Sequence, residues 1–289
     1  MKRIVVSAHL QLRLMSQADI AFAMKVKAMA RWNQLEADWE LLLTAGREGN
    51  FVAIYEGKEA GTLTTLPYQD RFNWIGMVLV NPSYRGLGIG RTLVETAIRT
   101  ADRKATIRLD ATPQGMKLYQ TLGFQVETEL WRLERKTDRP LPAPLGNCSV
   151  VDRGAIEQII KMDPTVFGAD RAIVLRHLQA RSPHYGYYLE YNGVMSGYCF
   201  GRSGSNFEHI GPIIARNVAD ARDLLLSAMA AAQSKPVIVD VYAWQQSWLD
   251  ELQNLGFVRQ RPFIRMHLGA LPEAGNINLQ YAIAGPELG

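Results

Sequence analysis

The chain has 289 residues, only two cysteines and a formal net charge of +4 at neutral pH. This length is long for one domain and sufficient for two, each with its own hydrophobic core. Hydrophobic residues make up 47% of the chain and charged residues 21%, as in ordinary soluble proteins, and no apolar run approaches the roughly twenty residues that span a bilayer. The composition therefore argues against a membrane protein, and the scarcity of cysteine argues against a disulfide framework and favours the cytoplasm.

Charge distribution and histidine spacing exclude further classes of function. The basic residues are spread along the chain without a dense lysine and arginine block, so nucleic acid is not an expected partner. The five histidines show no spacing typical of metal ligands, and no metal site is predicted. The apolar segment that follows Lys2 and Arg3 is too short for a signal peptide.

Hydrophobic periodicity predicts strands and helices in alternation. The strands expected in the first half cover residues 11–14, 51–56, 59–66 and 74–80, and the helices cover residues 19–32, 35–45 and 88–104. The last of these helices carries a continuous apolar stripe, which residues 218–232 repeat in the second half. Both halves therefore share a pattern of strands and amphipathic helices.

The most informative segment runs from Met77 to Thr92, with the sequence MVLVNPSYRGLGIGRT. An apolar strand leads through a proline-marked turn into three alternate glycines and an amphipathic helix. Gly86, Gly88 and Gly90 let the backbone pass close to a ligand because no Cβ intervenes. The first amides of the helix lack intrahelical partners, and the helix dipole favours negative charge there. The segment therefore predicts a phosphate-binding loop.

Two common phosphate loops do not account for this segment. A Walker-type loop ends in Gly-Lys-Ser/Thr, whereas Arg91 follows the last glycine here and the glycine spacing differs. A dinucleotide-binding fingerprint has the order G-x-G-x-x-G near the start of its unit. Here the order is G-x-G-x-G, and some eighty residues precede it.

The segment instead resembles the acetyl-CoA motif of the GNAT acyltransferase superfamily. Residues 78–82 (VLVNP) and 84–90 (YRGLGIG) match that motif almost position for position. The rest of the signature follows as Leu109-Asp110 on a strand and residues 118–124 (LYQTLGF). Loop, tyrosine and terminal Gly-Phe occur in order and at compatible spacing, and the resemblance covers about residues 10–136.

The resemblance implies an α/β (α+β) fold with two tandem GNAT-like domains, each a mixed twisted sheet flanked by helices. It also implies that acetyl-CoA binds as the acyl donor, without a metal, where two parallel strands splay apart. The amide of Val80 is expected to stabilise the oxyanion that forms when an amine attacks the thioester. The residues expected to bind the cofactor are Val78, Leu79, Val80, Arg85, Gly86, Leu87, Gly88, Ile89, Gly90, Arg91 and Thr92.

The resemblance also assigns the proton transfers. Tyr119 occupies the family's position for the acid that protonates the departing thiolate. Asp110 matches an acidic position that serves as base in some relatives, and an exposed strand-end carboxylate or a helix cap is an equal alternative. This chain has Thr112 and Gly115 where many relatives have asparagine and alanine, which changes the expected placement of pantetheine and thiol.

The acceptor is expected to bind among aromatic and acidic side chains, a combination that suits a cationic amine. Trp32 and Trp74 are also what an ordinary core contains, and at least one of them is expected there. Asp70 and Glu36 are weaker candidates for the base. The candidate substrate-binding residues are Trp32, Asn33, Tyr68, Asp70 and Trp74.

The second half of the chain repeats the first. In both, a strand ending in aspartate (Asp110, Asp240) precedes a Leu-Gly-Phe triplet, and an arginine lies nine residues after its glycine (Arg132, Arg265). An internal repeat of this length indicates a duplicated domain. The predicted organisation is a catalytic domain at residues 1–137, a proline-rich linker at 138–146 and a second GNAT-like domain at 147–289.

The two copies are not chemically equivalent. The segment Asn217–Ala221 stands where the first copy has its loop, contains no glycine, and carries Asp220, which would oppose a phosphate. Leu252 stands at the position of Tyr119. The second domain is therefore expected to be non-catalytic and to serve as a substrate wall, a scaffold or a dimerisation surface.

The expected function is that of an N-acetyltransferase, in which a primary amine attacks acetyl-CoA directly in a ternary complex. The expected partner is a small-molecule amine or an exposed amino group. Neither nucleic acid nor a membrane is an expected partner. The sequence leaves open whether the chain forms a homodimer. The alternative is an acyl-CoA-binding or sensing module with little turnover, but such a module has no need of the Tyr119 phenol. The unusually apolar tail, Tyr281–Gly289, is expected to be ordered and docked on the protein.

Overall fold

The computed structural model describes residues 3–46, 48–102, 104–136, 140–232, 235–271 and 275–289. The first half contains β1 (Arg3–Val5), β2 (Leu10–Leu14), α1 (Ile20–Met29), α2 (Glu36–Ala45), β3 (Phe51–Tyr55), β4 (Lys58–Tyr68), β5 (Phe72–Val80), α3 (Ile89–Thr100), β6 (Thr106–Ala111), α4 (Pro113–Thr121) and β7 (Gln125–Arg135). The second half contains β8 (Ser149–Val150), α5 (Arg153–Phe167), α6 (Ala172–Arg181), β9 (Tyr187–Tyr191), β10 (Val194–Ser203), β11 (Glu208–Ile214), α7 (Val218–Ala230), β12 (Val237–Tyr242), α8 (Gln246–Asn254), β13 (Val258–Leu268) and β14 (Gln280–Ala282). The order from β2 to β7 recurs element by element from β8 to β13.

The predicted elements of the first half are present, with shifts at their ends. Helix α1 ends at Met29, before the predicted Trp32, because Arg31 takes a left-handed conformation with a φ of 55°. Asp19 does not cap the helix with its side chain, since its carboxylate accepts hydrogen bonds from Ser16 and from the guanidinium of Arg13. The predicted linker falls partly outside the described residues, at 138 and 139, and residues 140–146 have no regular structure.

All described strands lie in one sheet that runs through both halves. Its order is β1-β2-β3-β4-β5-β6-β13-β7-β12-β11-β10-β9-β8, and β14 pairs with β11. Strand β13 lies between β6 and β7, and strand β7 lies between β13 and β12. The two halves therefore exchange their last long strands. The sequence predicted a separate sheet for each domain and did not reveal this exchange.

Each exchanged strand carries an arginine into the other half. Arg132 on β7 donates two hydrogen bonds to Asp240 on β12, at 2.8 and 2.7 Å. Arg265 on β13 donates two to Asp110 on β6, at 2.8 and 2.9 Å. All four side chains are at least nine-tenths buried. The arginines that the repeat placed at equivalent positions thus form ion pairs across the exchange.

Asp240→Asn is expected to lower the free energy of unfolding by about 3–5 kcal/mol at neutral pH, because it leaves the buried Arg132 guanidinium without its anionic partner. Burial alone would raise the pKa of the Asp240 carboxyl, but Arg132 and His209 hold it well below its usual range. The stabilisation is therefore present above the unfolded-state pKa of the carboxyl and is lost as the pH falls below it. Denaturant unfolding at several pH values measures this difference.

Glu157→Gln is the matched control, since Glu157 forms an ion pair with Arg176 in which both side chains are half exposed. That variant should unfold at the wild-type midpoint. Identical midpoints for Asp240→Asn and the wild type would contradict a stabilising role for the exchanged pair.

Helices cover both faces of the sheet. One apolar core joins residues of α1, α2, α5 and α6 on one face, so the two halves share it. Helices α3 and α7 pack on the other face in two separate clusters. Within the described part of the chain, no helix combines the length and apolar character needed to cross a membrane.

The tail is ordered and buried, as predicted. Strands β11 and β12 pair in parallel only at Glu208 and His209, and the tail enters where they separate. There β14 pairs with β11, the amide of Ile283 donates to Asp240 O at 2.9 Å, and Trp248 Nε1 donates to Tyr281 O at 2.7 Å. Of residues 280–289 only Pro286 is partly exposed. The opening between the splayed strands of the second half is therefore filled by the chain itself.

Candidate functional site

A cavity of about 810 Å³ lies where β5 and β6 separate in the first half. These strands pair in parallel only from Phe72 to Trp74 of β5. Further along β5, Met77 has a φ of 50°, and the register against β4 shifts opposite it. Thr62 Oγ1 donates to Met77 O at 2.9 Å and so holds this bulge in place. No described strand pairs with the cavity-facing edge of β5 beyond Trp74.

The glycine loop leads from this strand into α3. Gly86 and Gly88 have φ values of 82° and 76°, in the left-handed region that favours glycine, and Gly88 is the residue before the helix. A Cβ added at either would meet no atom within 4 Å, so the space beside the loop is open. Among the described residues, no backbone carbonyl accepts from the amides of residues 86–91, whereas the amide of Thr92 donates to Gly88 O. The loop therefore offers a row of free donors to an anion.

The structure brings six of the eleven predicted cofactor residues to the cavity. The other five lie beside it: Leu87 and Gly88 are exposed on the loop, and Ile89, the first residue of α3, is buried. Arg91 donates to Thr121 Oγ1 at 2.7 Å, and Thr92 Oγ1 donates to Gly88 O. The residues that line the cavity are Val78, Leu79, Val80, Arg85, Gly86 and Gly90.

Tyr119 lines the same cavity from helix α4. Thr112 caps this helix by accepting from the amide of Gly115. A Cβ at Gly115 would lie 3.1 Å from the Tyr119 ring, so glycine here gives the ring its room. The ring packs edge-on against Phe124, and burial raises the pKa of the phenol. The phenol is therefore protonated at neutral pH and can donate a proton.

Asp110 lines the cavity, but both of its carboxylate oxygens accept hydrogen bonds from Arg265. Its side chain is fully buried, so it is neither the exposed strand-end carboxylate nor the helix cap that the sequence left open. Burial raises the pKa of the carboxyl, and the Arg265 guanidinium opposes that rise. To act as a base, Asp110 would have to give up a bidentate ion pair.

Of the five candidate acceptor residues, the structure brings Trp32 and Asn33 to the cavity and leaves the other three elsewhere. Tyr68 donates its hydroxyl to Leu288 O in the buried tail. Trp74 is fully buried, donates Nε1 to Pro286 O at 2.8 Å, and belongs to the core. Asp70 is exposed in the turn between β4 and β5, and Glu36 is exposed at the start of α2.

Sequence reasoning missed the contribution of the second half to this cavity. Because of the strand exchange and the path of the tail, part of the wall comes from distant segments. The signal that pointed to a close approach was Gly76 in the middle of an apolar strand, since a Cβ there would lie 2.9 Å from the Cβ of Glu287. The lining residues that the sequence did not single out for the site include Arg132, Arg261, Phe263, Pro286 and Glu287.

Glu287 is the acidic group that the tail adds. Its side chain is 3% exposed, and Oε1 accepts from Gln34 Nε2 at 2.9 Å and Arg202 Nη2 at 2.5 Å. Oε2 is buried without a hydrogen-bond partner among the described residues. Burial would raise the pKa of Glu287, but Arg202 and Gln34 lower it, so the carboxylate is ionised at neutral pH. The cavity therefore has free backbone amides at one place and an anionic group at another.

Comparison with known proteins places both halves in one superfamily. Residues 19–124 match the acetyltransferase (GNAT) family, and residues 159–282 match an acetyltransferase (GNAT) domain, which together account for most of the chain. A holothin acyltransferase from Pseudoalteromonas sp. (strain SANK 73390) is 25% identical over 260 residues, which is 90% of this chain and 87% of that protein.

Solved structures share the fold over nearly the whole length. A protein from Pyrococcus horikoshii superposes with a TM-score of 0.79 at 21% identity, over 99% of this chain and 98% of its own. A tandem GNAT protein from the clavulanic acid biosynthesis pathway superposes with a TM-score of 0.65 at 16% identity, over 91% of this chain and 99% of its own. The chain belongs to the GNAT superfamily, consists of two tandem GNAT domains, and is an acyltransferase.

Proposed function

We propose that the chain transfers an acetyl group from acetyl-CoA to a primary amine, which attacks the thioester directly within a ternary complex. The observation that carries the proposal is that the free-amide loop, the open edge of β5 and the Tyr119 phenol all border one cavity. Superfamily membership supports acetyl-CoA as the donor. The chemistry needs no metal, and no group of three or more metal-binding side chains occurs among the described residues.

The proposal assigns the cofactor to the loop and to β5. Amides of residues 86–91 hold the pyrophosphate, aided by the dipole of α3. The pantetheine arm lies along the edge of β5, where Leu79 and Val80 pair with β4 on one side only. The Val80 amide donates to the thioester oxygen as it gains charge, which is typically worth a factor of about 10² to 10³ in rate.

Protonation of the leaving thiolate is assigned to Tyr119. The ammonium first gives a proton to solvent water. The neutral amine nitrogen then bonds to the acetyl carbon, the carbon–sulfur bond breaks, and the thiolate takes the proton of the Tyr119 phenol. The second proton that the nitrogen loses returns to the phenolate through solvent water, which restores Tyr119. Because Arg265 engages both oxygens of Asp110, the proposal gives that residue a positioning role at the strand exchange and not the role of base.

The second domain is proposed to be non-catalytic. Leu252 is fully buried, Asp220 lies in the first turn of α7, and the tail fills the opening that a cofactor would need. Its proposed part in the reaction is to supply wall residues to the cavity of the first domain. Both cysteines are free thiols, which supports the cytoplasm as the compartment.

Release of CoA thiol from acetyl-CoA, measured against polyamines, amino acids, aminoglycosides and peptide N-termini, tests this function. At least one class of amine should accelerate release, and mass spectrometry should find the acetylated amine. Tight binding of acetyl-CoA without release by any amine would contradict the proposal and favour the binding or sensing module.

A further inference from the structure

A second cavity of about 680 Å³ adjoins the first. The two cavities share Trp32, Asn33, Arg132 and Arg261 in their walls. None of the loop residues 85–90 borders the second cavity. It therefore extends the acceptor side of the site, away from the loop that is proposed to hold the cofactor.

The wall of the second cavity is cationic. Among the described residues it includes Lys27, Arg31, Arg132 and Arg261 but no aspartate or glutamate. Arg132 is neutralised by Asp240. Within the same described part of the chain, the other three cations form no ion pair with a carboxylate. Lys27 is 4% exposed, and its Nζ donates to Ser205 Oγ at 2.6 Å.

Arg261 is the cation that borders both cavities. Its Nε is buried without an acceptor among the described residues. Burial and the neighbouring Arg132 lower the pKa of Arg261 to about 10, which leaves it charged at neutral pH. A buried guanidinium nitrogen without an acceptor is costly, and an anion in the cavity would offset that cost.

Glu287 borders the first cavity with the opposite charge. Its Oε1 is ion-paired with Arg202, whereas Oε2 has no partner among the described residues and can accept a hydrogen bond from an ammonium group. The acceptor side thus combines one carboxylate oxygen without a partner with three cations that lack carboxylate partners among the described residues. A ligand with a single positive group would bind Glu287 but would leave the three cations without an anionic partner.

We propose that the acceptor is an amine that also carries an anionic group, such as a carboxylate or a phosphate. Its ammonium group is held by Glu287 before reaction, and its anionic group lies among Lys27, Arg31 and Arg261. This inference rests on the proposed function and adds the substrate class to it.

Matched pairs of amines test the inference by CoA release. β-Alanine is compared with β-alaninamide for the carboxylate arm, and phosphoethanolamine with ethanolamine for the phosphate arm. The charged member of at least one pair should have a kcat/KM at least about tenfold higher, as expected for a charge-assisted contact. Equal or faster reaction of the neutral members would overturn the inference while leaving the acetyltransferase function intact. No release with any pair or with the wider amine screen would count against both.

Arg261→Gln and Arg31→Gln test the assigned cations. Arg31 is exposed, so its variant is safe for folding. Each should raise the KM of the charged amine about tenfold or more and that of its neutral partner less than about twofold. Arg176→Gln, which removes an exposed charge on α6, is the matched control and should change neither. Equal effects on charged and neutral amines would overturn the assignment.

Discussion

Gly88→Asp is expected to weaken acetyl-CoA binding about 10³-fold, because like charges about 4 Å apart repel by roughly 4 kcal/mol at the effective dielectric constant of a protein surface. Gly88 immediately precedes α3, and the space beside its Cα is open. A carboxylate there would lie in the region proposed for the pyrophosphate and would also oppose the helix dipole. Isothermal titration with acetyl-CoA measures the effect.

Two variants separate charge from backbone strain. Gly88→Asn introduces a side chain of the same shape without the charge, and asparagine tolerates left-handed φ values. It should lose much less affinity than Gly88→Asp. Gly193→Asp adds the charge at another glycine with a φ of 76° and open surroundings, in the turn between β9 and β10. The Gly193→Asp variant should bind acetyl-CoA with wild-type affinity. If Gly88→Asp also bound acetyl-CoA with wild-type affinity, the assignment of the pyrophosphate to the loop would be refuted.

The loop could be predicted because its chemistry is local. Glycines at three alternate positions, a preceding apolar strand and a following amphipathic helix are all encoded within sixteen consecutive residues, Met77–Thr92. The conformations of Gly86 and Gly88 and the free amides follow from that stretch alone. The order of elements in both halves was accessible for the same reason, since periodicity and capping act over short distances.

The strand exchange could not be predicted because strand pairing is not local. Strands β7 and β13 belong to repeated segments, so each fits beside β6 and beside β12 on pattern alone. The observed arrangement pairs Arg132 with Asp240 and Arg265 with Asp110, but the repeat would also allow each arginine to pair within its own half. A pattern common to both copies cannot choose between those alternatives.

The acceptor side was predicted only in part, again because distant segments build it. Trp32 and Asn33 belong to the first domain and line the cavity, whereas Arg261 and Glu287 arrive on β13 and on the tail. The apolar character of the tail predicted its burial but not its destination. Trp74, which aromatic character alone made a candidate, is instead used to hold the tail through Pro286 O.

Tyr119→Phe is expected to lower kcat about 10²-fold while leaving acetyl-CoA affinity nearly unchanged, since a positioned general acid typically contributes 10²- to 10⁴-fold in rate. The ring should stay in place, because its packing against Phe124 and the room provided by Gly115 do not involve the hydroxyl. Steady-state kinetics with saturating acetyl-CoA and a binding titration of the same variant measure the two quantities.

The pH profile separates an acid from a packing residue at position 119. Burial raises the pKa of the phenol, so it stays protonated beyond the ordinary tyrosine pKa of about 10. The kcat of the wild-type enzyme should therefore not decline below about pH 10 through ionisation of this phenol. The ratio of wild-type kcat to Tyr119→Phe kcat should be constant across that range. Tyr188→Phe, which removes a hydroxyl from β9 outside the cavity, should keep full activity. If Tyr119→Phe had the same kcat as the wild-type enzyme, the phenol would not be the acid, because the phenylalanine ring keeps the packing but has no proton to give to the thiolate.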